Sequence, residues 1–143
     1  MELPDELLFE DWRPGRAGVQ RMVSRDEVPG LYGLAEQAGS VTFTWNDGGD
    51  PVMIISVGPD WSLATLMIDQ NWYSYVIDDV EGFVSIDLGG QSCEWPRAEL
   101  LSRAAALPVL MMVPDLTAVR CGFPWLSQWR DVETEPAPDI TTG

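Results

Sequence analysis

A chain of 143 residues, 45% hydrophobic and 10% aromatic, has the size of one domain and the means to build a substantial core, which excludes a disordered acidic polymer. It carries 23 acidic against 8 basic residues, a formal net charge of −15, and only Glu133, Glu135 and Asp139 of those acids lie in the last eleven positions, so the folded part is itself acidic. Such a surface repels phosphate backbones and anionic headgroups, which excludes nucleic acid and membrane as partners and leaves a basic protein.

The first residues are acidic where a secretory leader is basic and then apolar, and no apolar run approaches the ~20 residues of a membrane span, so a cytoplasmic protein is expected. Residues 1–20 mix acids, Arg13, Pro14, Arg16 and glycines without a period. They predict an irregular N-terminal arm with one short strand around 7–9. Residues 21–132 are expected to form a single domain.

Ser24-Arg-Asp-Glu27 has the Ser-x-x-Glu form of a capping box, with acids where the helix dipole favours them. It predicts a helix to about Ala38, interrupted early by Pro29-Gly30, with Leu31, Leu34, Ala35 and Ala38 inside and Gly39 as the stop. From Ser40 the pattern alternates, placing Val41, Phe43 and Trp45 on one side of a strand.

Asn46-Asp-Gly-Gly-Asp50-Pro51 then turns the chain, and the apolar run 52–57 suits a central strand. Segments 61–68, 72–77 and 83–88 repeat the pattern at short spacing, which reads as an antiparallel meander. Gly89-Gly90 is a turn, and 91–95 is a further short strand ending at Pro96.

A second helix is predicted over 99–112, with Pro108 either kinking it or delaying its start. Segment 117–123 reads as an edge strand, 124–129 as an aromatic closing segment, and 133–143 as a flexible acidic tail. The expected fold class is α+β: an antiparallel meander sheet of about five to six strands with two helices packed on one face.

The chemistry-bearing residues are few. All eight cations are Arg and His is absent, which removes the usual general base near neutral pH and the commonest metal ligand. Cys93 and Cys121 make no CxxC pair and read as reduced, partly buried small hydrophobes, a single disulfide or one exposed thiol being the alternatives.

The Asn46–Asp50 loop resembles a fragment of a calcium loop but lacks the distal bidentate Glu and the ligand spacing, so it reads as a hairpin turn. Asp78, Asp79 and Glu81 lie in a turn, where solvent keeps them ionised, and read as a solvated or partner-facing patch. The serines stand in no nucleophile elbow, and Gly89-Gly90 lacks the Lys of a phosphate loop. No catalytic residue, metal site or cofactor is expected.

A binding surface is what remains. Trp72, Tyr73 and Tyr75 are bracketed by Asp69 on one side and by Asp78, Asp79 and Glu81 on the other. In a strand Trp72 and Ser74 point one way and Tyr73 and Tyr75 the other, so one pair belongs to the core. Seven Trp exceed what so small a core needs, and exposed aromatics ringed by acids anchor an Arg- and Lys-rich partner. The competing reading makes all of them core and solvated edge. The candidate partner-binding residues are Asp69, Trp72, Tyr73, Tyr75, Asp78, Asp79 and Glu81, with Asp47 and Asp50 second.

Several motifs between about Ser24 and Trp129 resemble immunity protein family one of bacterial polymorphic toxin systems. They are the apolar strand at 52–57 followed by Gly58-Pro-Asp60, then Asp87-Leu-Gly-Gly-Gln91, then Glu94-Trp-Pro-Arg97 leading into an Ala- and Leu-rich helix, and Trp125. The resemblance implies a cytoplasmic antitoxin that binds a cognate basic toxin domain, often a nucleic-acid-targeting deaminase or nuclease, as a 1:1 heterodimer and blocks its active site. It implies no shared catalytic residues. Two other readings stay open: an acidic nucleic-acid mimic that inhibits a DNA-binding protein, and a small-ligand-binding domain with a pocket beneath the sheet.

Overall fold

The computed structural model describes residues 3–128 apart from Ala17 and Gln37. The predicted tail at 133–143, and residues 129–132 at the end of the predicted domain, lie outside the described residues.

The chain is an α+β domain built on strands β1 (Glu6–Asp11), β2 (Val19–Ser24), β3 (Val41–Trp45), β4 (Val52–Val57), β5 (Ser62–Ile68), β6 (Asn71–Tyr75) and β9 (Trp125–Ser127). These pair antiparallel in one seven-stranded sheet of order β2-β1-β3-β4-β5-β6-β9. Strands β7 (Phe83–Leu88) and β8 (Gln91–Pro96) form a separate two-stranded hairpin.

Side-chain alternation gives the sheet two unlike faces. Leu7, Phe9, Phe43, Trp45, Met53, Ile55 and Leu66 share one face and are all buried. Helices α1 (Val28–Tyr32), α2 (Leu107–Met112) and α3 (Leu116–Gly122) close over it, adding Val28, Tyr32, Val109, Leu110 and Val119 to the same core. Each large apolar side chain taken from water contributes about 1.5–3 kcal/mol, and this face holds most of the buried ones. The opposite face carries Thr42, Thr44, Ile54, Ser56, Leu63, Thr65 and Trp72, a more polar set that no helix covers.

Four local expectations are corrected. The arm at 1–20 is not irregular: β1 pairs with β2 and β3, because Leu7 and Phe9 alternate in register with Trp45 and Phe43. Asp11 ends β1 almost fully buried, its carboxylate taking Arg13 Nε at 2.9 Å and the Arg13 terminal nitrogen at 2.8 Å.

The first helix is shorter than expected. Ser24 and Glu27 do form the capping box, but on a single 3-10 turn (Arg25–Glu27), and α1 ends at Tyr32. Pro29 is tolerated because it falls in the first turn of α1, where a missing N–H breaks no bond.

The second helix starts late for the same reason, with Pro108 in the first turn of α2. The stretch before it is a 3-10 turn (Arg97–Glu99) followed by a bridge in which Ser62 and Leu101 exchange backbone hydrogen bonds of 3.0 and 2.8 Å.

Segment 117–123 is helix and not strand, because the Asp115 carboxylate caps α3 by accepting the Ala118 N–H at 3.1 Å. The edge strand is instead β9, within the predicted closing segment. Among the described residues no helix is long and apolar enough to cross a membrane.

Candidate binding site

The structure divides the predicted acid and aromatic residues into three places. Asp47, Asp50 and Asp69 lie in the turns at one end of the sheet, between β3 and β4 and between β5 and β6. Asp78, Asp79 and Glu81 are exposed in the segment that leaves the other end of β6. One strand separates the two groups, roughly 13 Å over the four steps from Asn71 to Tyr75.

Asp50 has a structural task. The β5–β6 connection is the two-residue turn Asp69-Gln70, with φ of 53° and 66°, a left-handed geometry that non-glycine residues adopt reluctantly. Asp50 accepts the Asp69 N–H at 2.8 Å and the Gln70 N–H at 3.0 Å, and so braces that turn from the neighbouring loop.

The three aromatics are not equivalent. Tyr75 is buried in the helix-covered core, its ring 5.5 Å from that of Phe123 and 5.9 Å from that of Trp125. Tyr73 is half-buried on the same face, in register with Leu66 and Ser127. Trp72 faces the other way and is half-buried beside open space.

That space is a groove of about 650 Å³ between the uncovered sheet face and the β7–β8 hairpin. Thr42, Ile54, Ser56, Leu63 and Thr65 make its floor, Trp72 and Gln128 one wall, and Leu88, Gly89 and Trp95 of the hairpin the other. The hairpin is held over the sheet by a small apolar cluster of its own, Trp61, Leu63 and Ile86 with Val84, Leu88, Cys93 and Trp95 against them. Its turn, Gly89-Gly90, has φ of 59° and 83°, and Gly89 N–H reaches the Ser40 hydroxyl at 3.3 Å.

The polar groups of the groove are specific. Thr42 Oγ1 and Ser56 Oγ lie 3.0 Å apart and share one hydrogen bond in the floor. Glu99, from the 3-10 turn after the hairpin, is only 8% exposed and is the one titratable group among the described lining residues. Its Oε1 accepts the Trp95 indole N–H at 2.9 Å. No Arg among the described residues forms an ion pair with Glu99; the pairs at Asp11 and Glu27 involve Arg13 and Arg21.

The sequence reading passed over Trp95 and Glu99. The available signal was their spacing of four, which lets an indole at a strand end meet a carboxylate in the following turn. Cys93 is half-buried in the hairpin cluster, Cys121 is exposed, and both are free. Among the described residues no three of His, Cys, Asp or Glu gather where they could hold a metal ion. No protein-family model, no curated protein and no solved structure matches this chain.

Proposed function

We propose that this protein is a cytoplasmic antitoxin that binds a basic toxin domain one to one and neutralises it by occluding its active site. The observation that carries this reading is an acidic chain, −15 in all, whose sheet is closed by helices on one side and on the other only partly covered, by a hairpin that leaves an indole-walled groove. The closed face supplies stability; the open face is available to a partner. Exposed carboxylates at both ends of β6 steer a cationic partner inward, which raises association rates at low salt. Where the partner acts on nucleic acid, these carboxylates stand in for phosphates. The resemblance of the Asp87–Gln91 and Glu94–Arg97 motifs to those of immunity protein family one also supports this reading.

A second reading, a small-ligand carrier, is favoured by the groove itself, whose volume falls within the ~300–1,000 Å³ usual for small-molecule sites. Co-expression of the chain with the adjacent reading frame of its own genome separates the two. The antitoxin reading expects cells to survive the neighbouring product only when this chain is present, and the two products to co-purify. Survival independent of the chain overturns it.

A further inference from the structure

We propose that Glu99, framed by Trp95 and Trp72, is the receptor for one arginine side chain presented by the partner protein. This deepens the reading of the chain as a binder of a basic protein and rests on it.

The argument begins with a carboxylate out of place. Buried charges are ordinarily paired, because removing an ion from water without a counter-charge is unfavourable. Glu99 is 8% exposed, yet its bound partner is a neutral indole N–H and no Arg of the described chain reaches it. It does not sit in the closed core, where a compensating cation could never arrive. It sits in the wall of a groove open to solvent, so its missing counter-ion can come from outside.

The rest of the groove matches the cation that would come. Trp72 and Trp95 stand on opposite walls, and an indole face is the best aromatic partner for a cation. Arginine fits better than lysine here, because its guanidinium is planar, stacks on aromatic rings and is less strongly hydrated, so it enters a confined site more readily. Its methylene stem needs an apolar floor, which Ile54 and Leu63 provide. Thr42 and Ser56 share one hydrogen bond in the floor.

A merely structural account, in which Glu99 only pins Trp95 and thereby the hairpin, predicts no preference for a cation. The test uses the full chain, with argininamide as probe and, as control, citrullinamide, which keeps the α-amino group but carries a neutral ureido group in place of the guanidinium, each titrated into the millimolar range while the Trp72 and Trp95 indole N–H resonances are followed. The expected result is a saturable shift of both resonances with argininamide and none with citrullinamide.

Glu99→Gln, which keeps an acceptor for the Trp95 N–H, should weaken argininamide binding about ten-fold or more, since a charged hydrogen bond becomes a neutral one. Trp72→Leu should weaken it too while leaving the Glu99 contact intact. Equal response to the two probes, absence of a saturable shift, or argininamide binding unchanged in Glu99→Gln overturns the proposal. If Glu99→Gln does not fold, the probe comparison in the native chain and in Trp72→Leu decides. Saturable argininamide binding without rescue in co-expression would retain this site and remove the antitoxin reading; rescue with a silent groove would do the reverse.

Discussion

The carboxylate of Asp11, 4% exposed at the end of β1, holds the guanidinium of Arg13 two residues on through two hydrogen bonds of 2.9 and 2.8 Å. Those bonds set the Asp11 carboxyl below the usual carboxylate range, against the opposing effect of burial. A lowered folded pKa means the stabilisation is present above the unfolded value and is lost as pH falls through the folded one. Asp11→Asn should therefore cost about 1–3 kcal/mol near neutrality, with the difference from the native chain shrinking below about pH 4. Urea melts at a series of pH values read this directly.

Tyr32 is displaced in the opposite direction. Burial pushes its phenol above the ordinary tyrosine value, and its hydroxyl donates to the Arg103 carbonyl. A raised pKa gives stability that is complete below about pH 10 and declines as pH rises toward the folded value. Tyr32→Phe should lose about 1 kcal/mol at neutral pH and show a smaller alkaline decline than the native chain, measured by denaturant midpoints at neutral and alkaline pH.

Gly58, just past the end of β4, lies directly against the Trp61 ring of the hairpin cluster. A Cβ there would stand 2.2 Å from the Trp61 indole, so Gly58→Ala must displace the ring that anchors the hairpin cluster. A loss of about 1–3 kcal/mol is expected from overpacking. In a Cys121→Ser background the half-buried Cys93 should then react faster with a thiol reagent; an unchanged rate would mean that Trp61 had moved without loosening the hairpin.

Asp50→Ala removes the acceptor for two backbone N–H groups in a turn of positive φ. The expected loss is about 1 kcal/mol. Amide exchange should quicken at Asp69 and Gln70 before it quickens in β4 or β5.

Because the two acid groups lie at opposite ends of β6, their contributions to partner capture can be separated. On the proposed function, neutralising Asp78, Asp79 and Glu81 together should slow association with a basic partner domain by roughly three- to ten-fold at low salt and flatten its salt dependence. The same measurement on Asp47→Asn with Asp69→Asn reports on the other end. Unchanged rates in both would reject steering from either end.

The central strands were legible because their signal is local. The alternation of Val41, Phe43 and Trp45 and the apolar run Val52–Val57 each define a face without reference to any partner. The capping box of Ser24 and Glu27 was legible for the same reason, as a contact spanning three residues. Pairing was not. A period of two says which side of a strand is buried but not which strand lies beside it, so β1 and β2 passed for an arm and β7–β8 for part of the main sheet. The groove is harder still, since its floor comes from three strands and its walls from β6 and a hairpin in a different sheet. Trp72 was recognised as one of an aromatic set, but its role as a wall depends on Trp95 and Glu99, distant in sequence and brought near by tertiary packing.

The hairpin rests through Ile86 on Trp61 and Leu63, outside the hydrogen-bonded ladder of the seven-stranded sheet. Insertions, deletions or residue swaps around Gly89-Gly90 would therefore change the width of the cleft while every backbone ladder of the principal sheet stays intact. The groove can thus be reshaped at that one overhang while the rest of the fold is inherited unchanged.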